Sequence, residues 1–402
     1  MPPIRSWFAR PRAFIARWGL LSVVFLALLP LPLAVQALLP SDAVQGENRR
    51  LSPPPAIPQS LTELVHWPAA TDAWITDRFG LRGPMIRVNN WLRYRLFDEI
   101  PTRQIVQGRH GRLFLGNADG EAEDRMILNI CGAGVSEAEV QDATRQAADF
   151  LSRASKAGLD AAMLIVPTAP RLYAQDLPER LARVCAGHTP PADRIADALA
   201  ATDDLPPVIY PVARMLALEQ TMPVIPREHF HWAGEAPVMI ARDVAEQAFG
   251  LRRTMTLPLA VVRRSSDLNG LAPGIDESVL INEPNVRAAG VRTCPNVRCG
   301  AIAGVPATAA IAIERYFRAG DGPPMLIIAD SFGDEIGRDF AEYSPEVWLL
   351  STNTVRELSE SDRAALMRAV LARFHGQRVV FVYHDQQVLL GMEPIGRLLW
   401  PQ

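Results

Sequence analysis

A chain of 402 residues, 49% apolar and 21% charged, has ordinary globular composition and room for one large or two medium domains. A net charge of −3, with no Lys/Arg block beyond the N-terminus, leaves no electrostatic footprint for nucleic acid. The 34 prolines are spread as loop punctuation and form no low-complexity tract. At the N-terminus Arg5, Arg10, Arg12 and Arg17 come with no acidic residue, and residues 18–39 then run without a charge. That run is long enough to cross a hydrocarbon core of ~30 Å at ~1.5 Å per residue. The positive flank should stay in the cytoplasm. This predicts a cytoplasmic tail at 1–17, a transmembrane helix at 18–39, and export of the rest as the periplasmic part of a single-pass inner-membrane protein. A cleaved signal peptide is the alternative, since Val35-Gln36-Ala37 is an acceptable small-residue cleavage site.

Residues 40–60 form a linker, extended where prolines crowd at 53–58. The exported domain occupies 61–402, with a helical and hairpin lead-in at 61–135 and an α/β core at 136–402. The lead-in has a mostly helical stretch at 71–97 and two short strands around a Gly-containing turn at 104–115. Ser136 and Glu139 make a capping box for a helix that continues to Gly158. The apolar run at 161–166 predicts a buried strand, ended by Pro167. Further strands are predicted at 208–210, 325–329, 347–350 and 379–383, and long helices at 233–249 and 359–374. Strands alternating with helices imply a mostly parallel sheet covered on both faces. Ligands of such sheets bind beyond the carboxyl ends of the strands. Function is therefore sought just after Val166, Tyr210, Ala329 and Leu350.

The four cysteines are Cys131, Cys185, Cys294 and Cys299. Export to an oxidising compartment makes disulfides available to them. Cys294 and Cys299 flank a turn-like Pro295-Asn296-Val297-Arg298 loop that could close into a small bridge; free buried thiols and, more weakly, zinc are the alternatives.

Two places carry residues suited to chemistry. Asp330-Ser331-Phe332-Gly333 follows a strand, so Ser331 is presented on a tight turn with following amides able to face a developing oxyanion. Such a serine needs a base within hydrogen-bond reach. The bland alternative is an Asp-Ser cap for the next helix. Two of the seven histidines stand in Glu228-His229-Phe230-His231-Trp232, just before a helix, where they could serve as base or metal ligand. No HExxH and no third ligand accompany them, so no metal and no cofactor is predicted.

Together, and in this order, the motifs resemble the AlgX/AlgJ group of polysaccharide O-acetylation proteins, which carry an SGNH-hydrolase-like domain. The resemblance begins at Glu47-Asn48-Arg49 and continues through Asp77-Arg78-Phe79-Gly80-Leu81-Arg82. The hairpin Val106-Gln107-Gly108-Arg109-His110-Gly111-Arg112-Leu113-Phe114 is similar to the group's Val-x-Gly-Lys-x-Gly-Trp-Leu-Phe, with Arg112 for Trp. Val166-Pro167 through Tyr173, then Leu177-Pro178, resembles its strand exit. His231-Trp232 matches the end of its Asp-x-His-Trp motif, and Ser331-Phe332 matches its Gly-x-Ser-Phe/Tyr motif.

The resemblance implies an SGNH-like α/β fold and O-acetyl transfer to an exported or cell-envelope polysaccharide. Ser331 would be the nucleophile and His231 its base, with Asp330, Phe332 and Gly333 in the turn around the oxyanion. The acetyl group would come from a membrane-bound acyltransferase partner, and Arg171 and Tyr173 would lie on the substrate side. Three departures qualify this. The motif's Asp falls on His229, which cannot stabilise an imidazolium as a carboxylate does, leaving Glu228 as the nearest substitute. Its Gly falls on Ala329, and the Lys expected after Pro167 falls on Ala169, with Arg171 nearby. A non-catalytic relative that binds polysaccharide or scaffolds secretion is the first alternative, and a periplasmic carbohydrate esterase the second.

Overall fold

The computed structural model describes residues 19–28, 52–77, 79, 81–117, 122, 124–295 and 302–400. The chain divides into two units, Met1–Thr102 with Leu268–Asp276, and Arg103–Asp267 with Glu277–Gln402. In the first, the stretch expected to be mostly helical holds two helices, α1 (Leu61–Asp77) and α2 (Arg82–Phe97). The Asp77 carboxylate accepts the Ser52 amide at 2.7 Å, and Asn90 donates to the Pro273 carbonyl at 3.0 Å. The predicted membrane span falls largely outside the described residues. Leu20–Leu28 is helical, and no helix among the described residues is long and apolar enough to cross a membrane.

The second unit opens with the expected hairpin, β1 (Ile105–Gln107) antiparallel to β2 (Leu113–Leu115). It continues through α3 (Glu137–Lys156), β3 (Asp160–Val166), β4 (Val208–Ile209) and α4 (Glu235–Phe249). Next come β5 (Leu259–Ser265) and β6 (Ser278–Pro284), a two-stranded antiparallel sheet that the sequence reading did not predict. Then follow β7 (Arg292–Pro295), β8 (Ile313–Phe317), β9 (Met325–Ala329), α5 (Gly333–Ile336), β10 (Glu346–Ser351), α6 (Glu360–Arg373) and β11 (Arg378–His384).

Seven strands form the central sheet in the order β4-β3-β11-β9-β10-β8-β7. The first five are parallel; β8 and β7 are added antiparallel at one edge. The continuous apolar runs follow from burial on both faces. Along β9, Leu326 and Ile328 join the core with α3 and α6, whereas Met325, Ile327 and Ala329 join the core with α4. The Ser136–Glu139 capping box is formed, and α3 buries Val140, Ala143, Ala147, Phe150 and Leu151.

A disulfide joins Cys131 to Cys185 with a Cα–Cα distance of 5.6 Å, a pairing that the sequence reading did not single out. Cys294 is also disulfide-bonded, and Cys299 lies outside the described residues.

Candidate active site

Three chain segments meet beyond the carboxyl end of β9. The first is the turn after that strand. Asp330 is buried, and its carboxylate accepts the Phe332 amide at 2.9 Å and the His384 amide at 2.9 Å, so it shapes the turn and ties it to the end of β11. The Gly333 amide donates to the Asp330 carbonyl at 3.0 Å. The amides of Phe332 and Gly333, expected to face an oxyanion, are therefore already engaged. Among the described residues the Ser331 amide makes no hydrogen bond, and it is the donor this turn leaves for a developing oxyanion. Gly333 is needed sterically: a Cβ there would lie 1.9 Å from that of Ala329. With alanine at 329, only glycine fits at 333.

The second segment is the loop entering α4. His231 Nε2 lies 3.0 Å from Ser331 Oγ, within hydrogen-bond reach. Trp232, fully buried, donates from Nε1 to the Phe332 carbonyl at 2.8 Å and so fixes the histidine loop to the serine turn. The rings of Phe230 and Phe332 flank the imidazole at 4.5 and 4.8 Å between centroids.

The third segment supplies the carboxylate, which is neither residue 229 nor Glu228. It is Asp267, two residues past β5. Its Oδ2 accepts the Phe230 amide at 2.8 Å and the His231 amide at 3.0 Å, and lies 3.1 Å from His231 Nδ1. An ionised carboxylate only accepts. Nδ1 therefore carries the proton, and the lone pair of Nε2 faces the serine. Burial works against charge on both partners, yet the pair prevails. The imidazoles of His229 and His231 hold Asp267 far below the usual carboxylate range, and Asp267, with Glu335 and Asp330, raises His231 above its ordinary value.

The remaining predicted residues sit elsewhere. The Glu228 carboxylate makes no hydrogen bond or ion pair with His231; only its backbone takes part, accepting from Ser266 Oγ at 2.5 Å. His229 is completely buried, with Nδ1 3.6 Å from Asp267 Oδ2, too long for a hydrogen bond, so it neighbours the carboxylate instead of orienting His231. Arg171 forms a two-pronged pair with Asp193 at 2.9 and 2.8 Å. Tyr173 is buried under the Arg112 guanidinium, 3.4 Å from its ring, and donates to Glu219 at 2.6 Å. Both side chains are held by partners within the fold.

Asp267 was missed because it stands far from both partners in sequence. The available signal was the run Leu259-Ala260-Val261-Val262-Arg263-Arg264-Ser265-Ser266-Asp267, a strand followed by a polar turn ending in an acid.

No family model and no curated protein matches the chain. Solved structures to which it is similar include a DHHW family protein from Eubacterium siraeum, at 16% identity and a TM-score of 0.45, covering 63% of this chain and 88% of that one. PatB1 of Bacillus cereus is similar at 13% identity and a TM-score of 0.42, over 63% of this chain and 93% of that one. The O-acetyltransferase domain of Pseudomonas putida AlgJ is similar at 13% identity and a TM-score of 0.42, over 74% of this chain and 99% of that one.

Proposed function

We propose that the protein is a serine-dependent O-acetyltransferase acting on an exported or cell-envelope polysaccharide. The observation that carries the chemistry is the continuous relay Asp267–His231–Ser331, with heavy-atom spacings of 3.1 and 3.0 Å. Ser331 Oγ attacks the acetyl carbonyl of a donor while His231 Nε2 takes its proton. Asp267 stabilises the imidazolium as it forms, and the Ser331 amide faces the tetrahedral oxyanion. The donor's leaving group departs with the proton from His231, leaving acetyl-Ser331. A sugar hydroxyl then attacks that ester, its proton passing to His231 and back to Ser331 Oγ as the acetylated sugar leaves.

The acceptor class is supported by the ordered motifs from Glu47 to Phe332 that resemble polysaccharide O-acetylation proteins. The arginine-flanked run at 18–39 supports a single inner-membrane anchor with the enzyme in the periplasm, where a membrane-bound acyltransferase would hand over the acetyl group. The non-catalytic reading drew its force from His229 standing where a carboxylate was expected; with Asp267 beside His231 that ground is gone. An esterase would use the same relay with water in place of the sugar.

The test is polysaccharide acetyl content in cells carrying Ser331→Ala. Loss of acetylation with polymer export intact is expected. Normal acetyl content would sink the proposal, and a rise in acetyl content would favour the esterase.

A further inference from the structure

The three segments of the candidate site are joined pairwise by contacts outside the relay itself. Trp232 Nε1 on the Phe332 carbonyl joins the histidine loop to the serine turn. Ser266 Oγ on the Glu228 carbonyl joins the aspartate segment to the histidine loop. The third side is closed by Arg264, in β5 and three residues before Asp267. Its Nη2 pairs with Glu335, which lies in α5 four residues after Ser331, and its Nη1 donates to Glu283 of β6 at 2.7 Å. The arginine is about three-quarters shielded, and the Glu335 and Glu283 carboxylates are nearly buried. A planar guanidinium with a fixed fork of donors is suited to holding two carboxylates at once, and an ammonium is not.

We propose that Arg264 is a positioning residue of this site: by bridging Glu335 and Glu283 it fixes the segment bearing Asp267 against the turn bearing Ser331, and it neutralises Glu335 beside His231. This rests on the serine-acyltransfer reading above. Releasing the bridge frees Asp267, with the His231 loop it holds, to drift from Ser331, and displacements of ~1 Å in such a constellation cost about 10²-fold in rate.

The bridge also has an electrostatic signature that a purely structural contact lacks. His231 faces Asp267 from the β5 segment, and Asp330, Asp334 and Glu335 from the β9 turn and α5. His229 neighbours the same Asp267, and His384 lies by Asp330 at 3.7 Å. Arg338 is a further cation here, 3.5 Å from Glu283 and attracted also by Glu335. Removing Arg264 leaves the acids unbalanced, favours the imidazolium and moves the acid limb of activity to higher pH. Removing the charge of Glu335 has the opposite effect on His231 and moves the limb to lower pH.

The experiment is the pH dependence of kcat/KM for p-nitrophenyl acetate hydrolysis by the full-length chain, with Arg264→Met, Arg264→Lys, Glu335→Gln and Ser331→Ala. The expected result is opposite shifts of the acid limb for Arg264→Met and Glu335→Gln. Arg264→Met should lose about 10²-fold in rate, with partial recovery in Arg264→Lys, which keeps the charge without the fork. If Arg264→Met does not fold, the test rests on Arg264→Lys and Glu335→Gln: a slower Arg264→Lys with an unmoved limb, beside a downward shift in Glu335→Gln, is then expected. An unmoved limb in Glu335→Gln, or shifts of the same sign in Arg264→Met and Glu335→Gln, overturns the proposal. Undiminished hydrolysis by Ser331→Ala overturns the acyltransfer reading instead.

Discussion

Replacing Asp267 by Asn should cost much less than removing it, for a reason specific to this site. In a serine triad an Asp→Asn change is severe, about 10⁴ in turnover, because the amide imposes the wrong imidazole tautomer. Here the Phe230 and His231 amides both donate to Oδ2, the same oxygen that receives His231 Nδ1. An Asn side chain that turned its NH2 towards them would meet two backbone donors at 2.8 and 3.0 Å. The backbone therefore selects the orientation with the amide oxygen in that place, and the productive tautomer survives. What is lost is the charge of the acceptor. The difference between a charge-assisted and a neutral hydrogen bond, ~1–2 kcal/mol, is about a factor of 5 to 30 in rate. Asp267→Ala loses acceptor and charge together, and about 10⁴ is expected. The assay is kcat/KM for p-nitrophenyl acetate across pH. The acid limb should move to lower pH in Asp267→Asn, since the imidazolium loses its counter-charge. Equal losses in the two variants would refute this account of the two amides, and near-normal rates in Asp267→Ala would remove Asp267 from the relay.

Four further outcomes follow from the structure. Because the neutral form of His231 is the base and its pKa is raised, activity should fall as pH drops through a midpoint above the imidazole's usual 6.5, read from a kcat/KM profile; Glu228→Gln should leave both rate and midpoint within about twofold, no carboxylate contact being lost. Gly333→Ala should destabilise the fold by about 3 kcal/mol or more, since a Cβ there meets that of Ala329 at 1.9 Å; urea unfolding measures this, and a loss below about 1 kcal/mol would mean that the turn can shift. Replacing Cys131 and Cys185 together by Ala opens a loop of 54 residues and should cost about 4 kcal/mol in the same assay.

How far the sequence could be read depends on which forces act locally. The strands predicted at 325–329, 347–350 and 379–383 fall on β9, β10 and β11 because burial on both faces leaves an unbroken apolar run, visible without partners. The cap at Ser136 was visible for a similar reason, its partner Glu139 being three residues away. β5 and β6 were not visible. They pair mainly with each other, leave Val261 and Leu280 exposed, and carry Arg264 and Glu283 on the other face, so neither run looks like core. Asp267 follows β5, and its role depends on a loop 36 residues earlier and a turn well beyond it, a relation no local pattern records. Ser331 and His231 were found because motifs surround them. The partners of Arg171 and Tyr173, Asp193 and Glu219, were not visible, because they stand 22 and 46 residues further along the chain.

The most direct test of the central claim is to trap the acyl-enzyme. The full-length chain is mixed briefly with p-nitrophenyl acetate, quenched in acid, and analysed by intact mass and peptide mapping. One acetyl group is predicted per chain, on Ser331, absent in Ser331→Ala and formed far more slowly in His231→Ala. An acetyl group on any other residue, or unchanged acetylation in Ser331→Ala, would contradict the assignment of Ser331 as nucleophile.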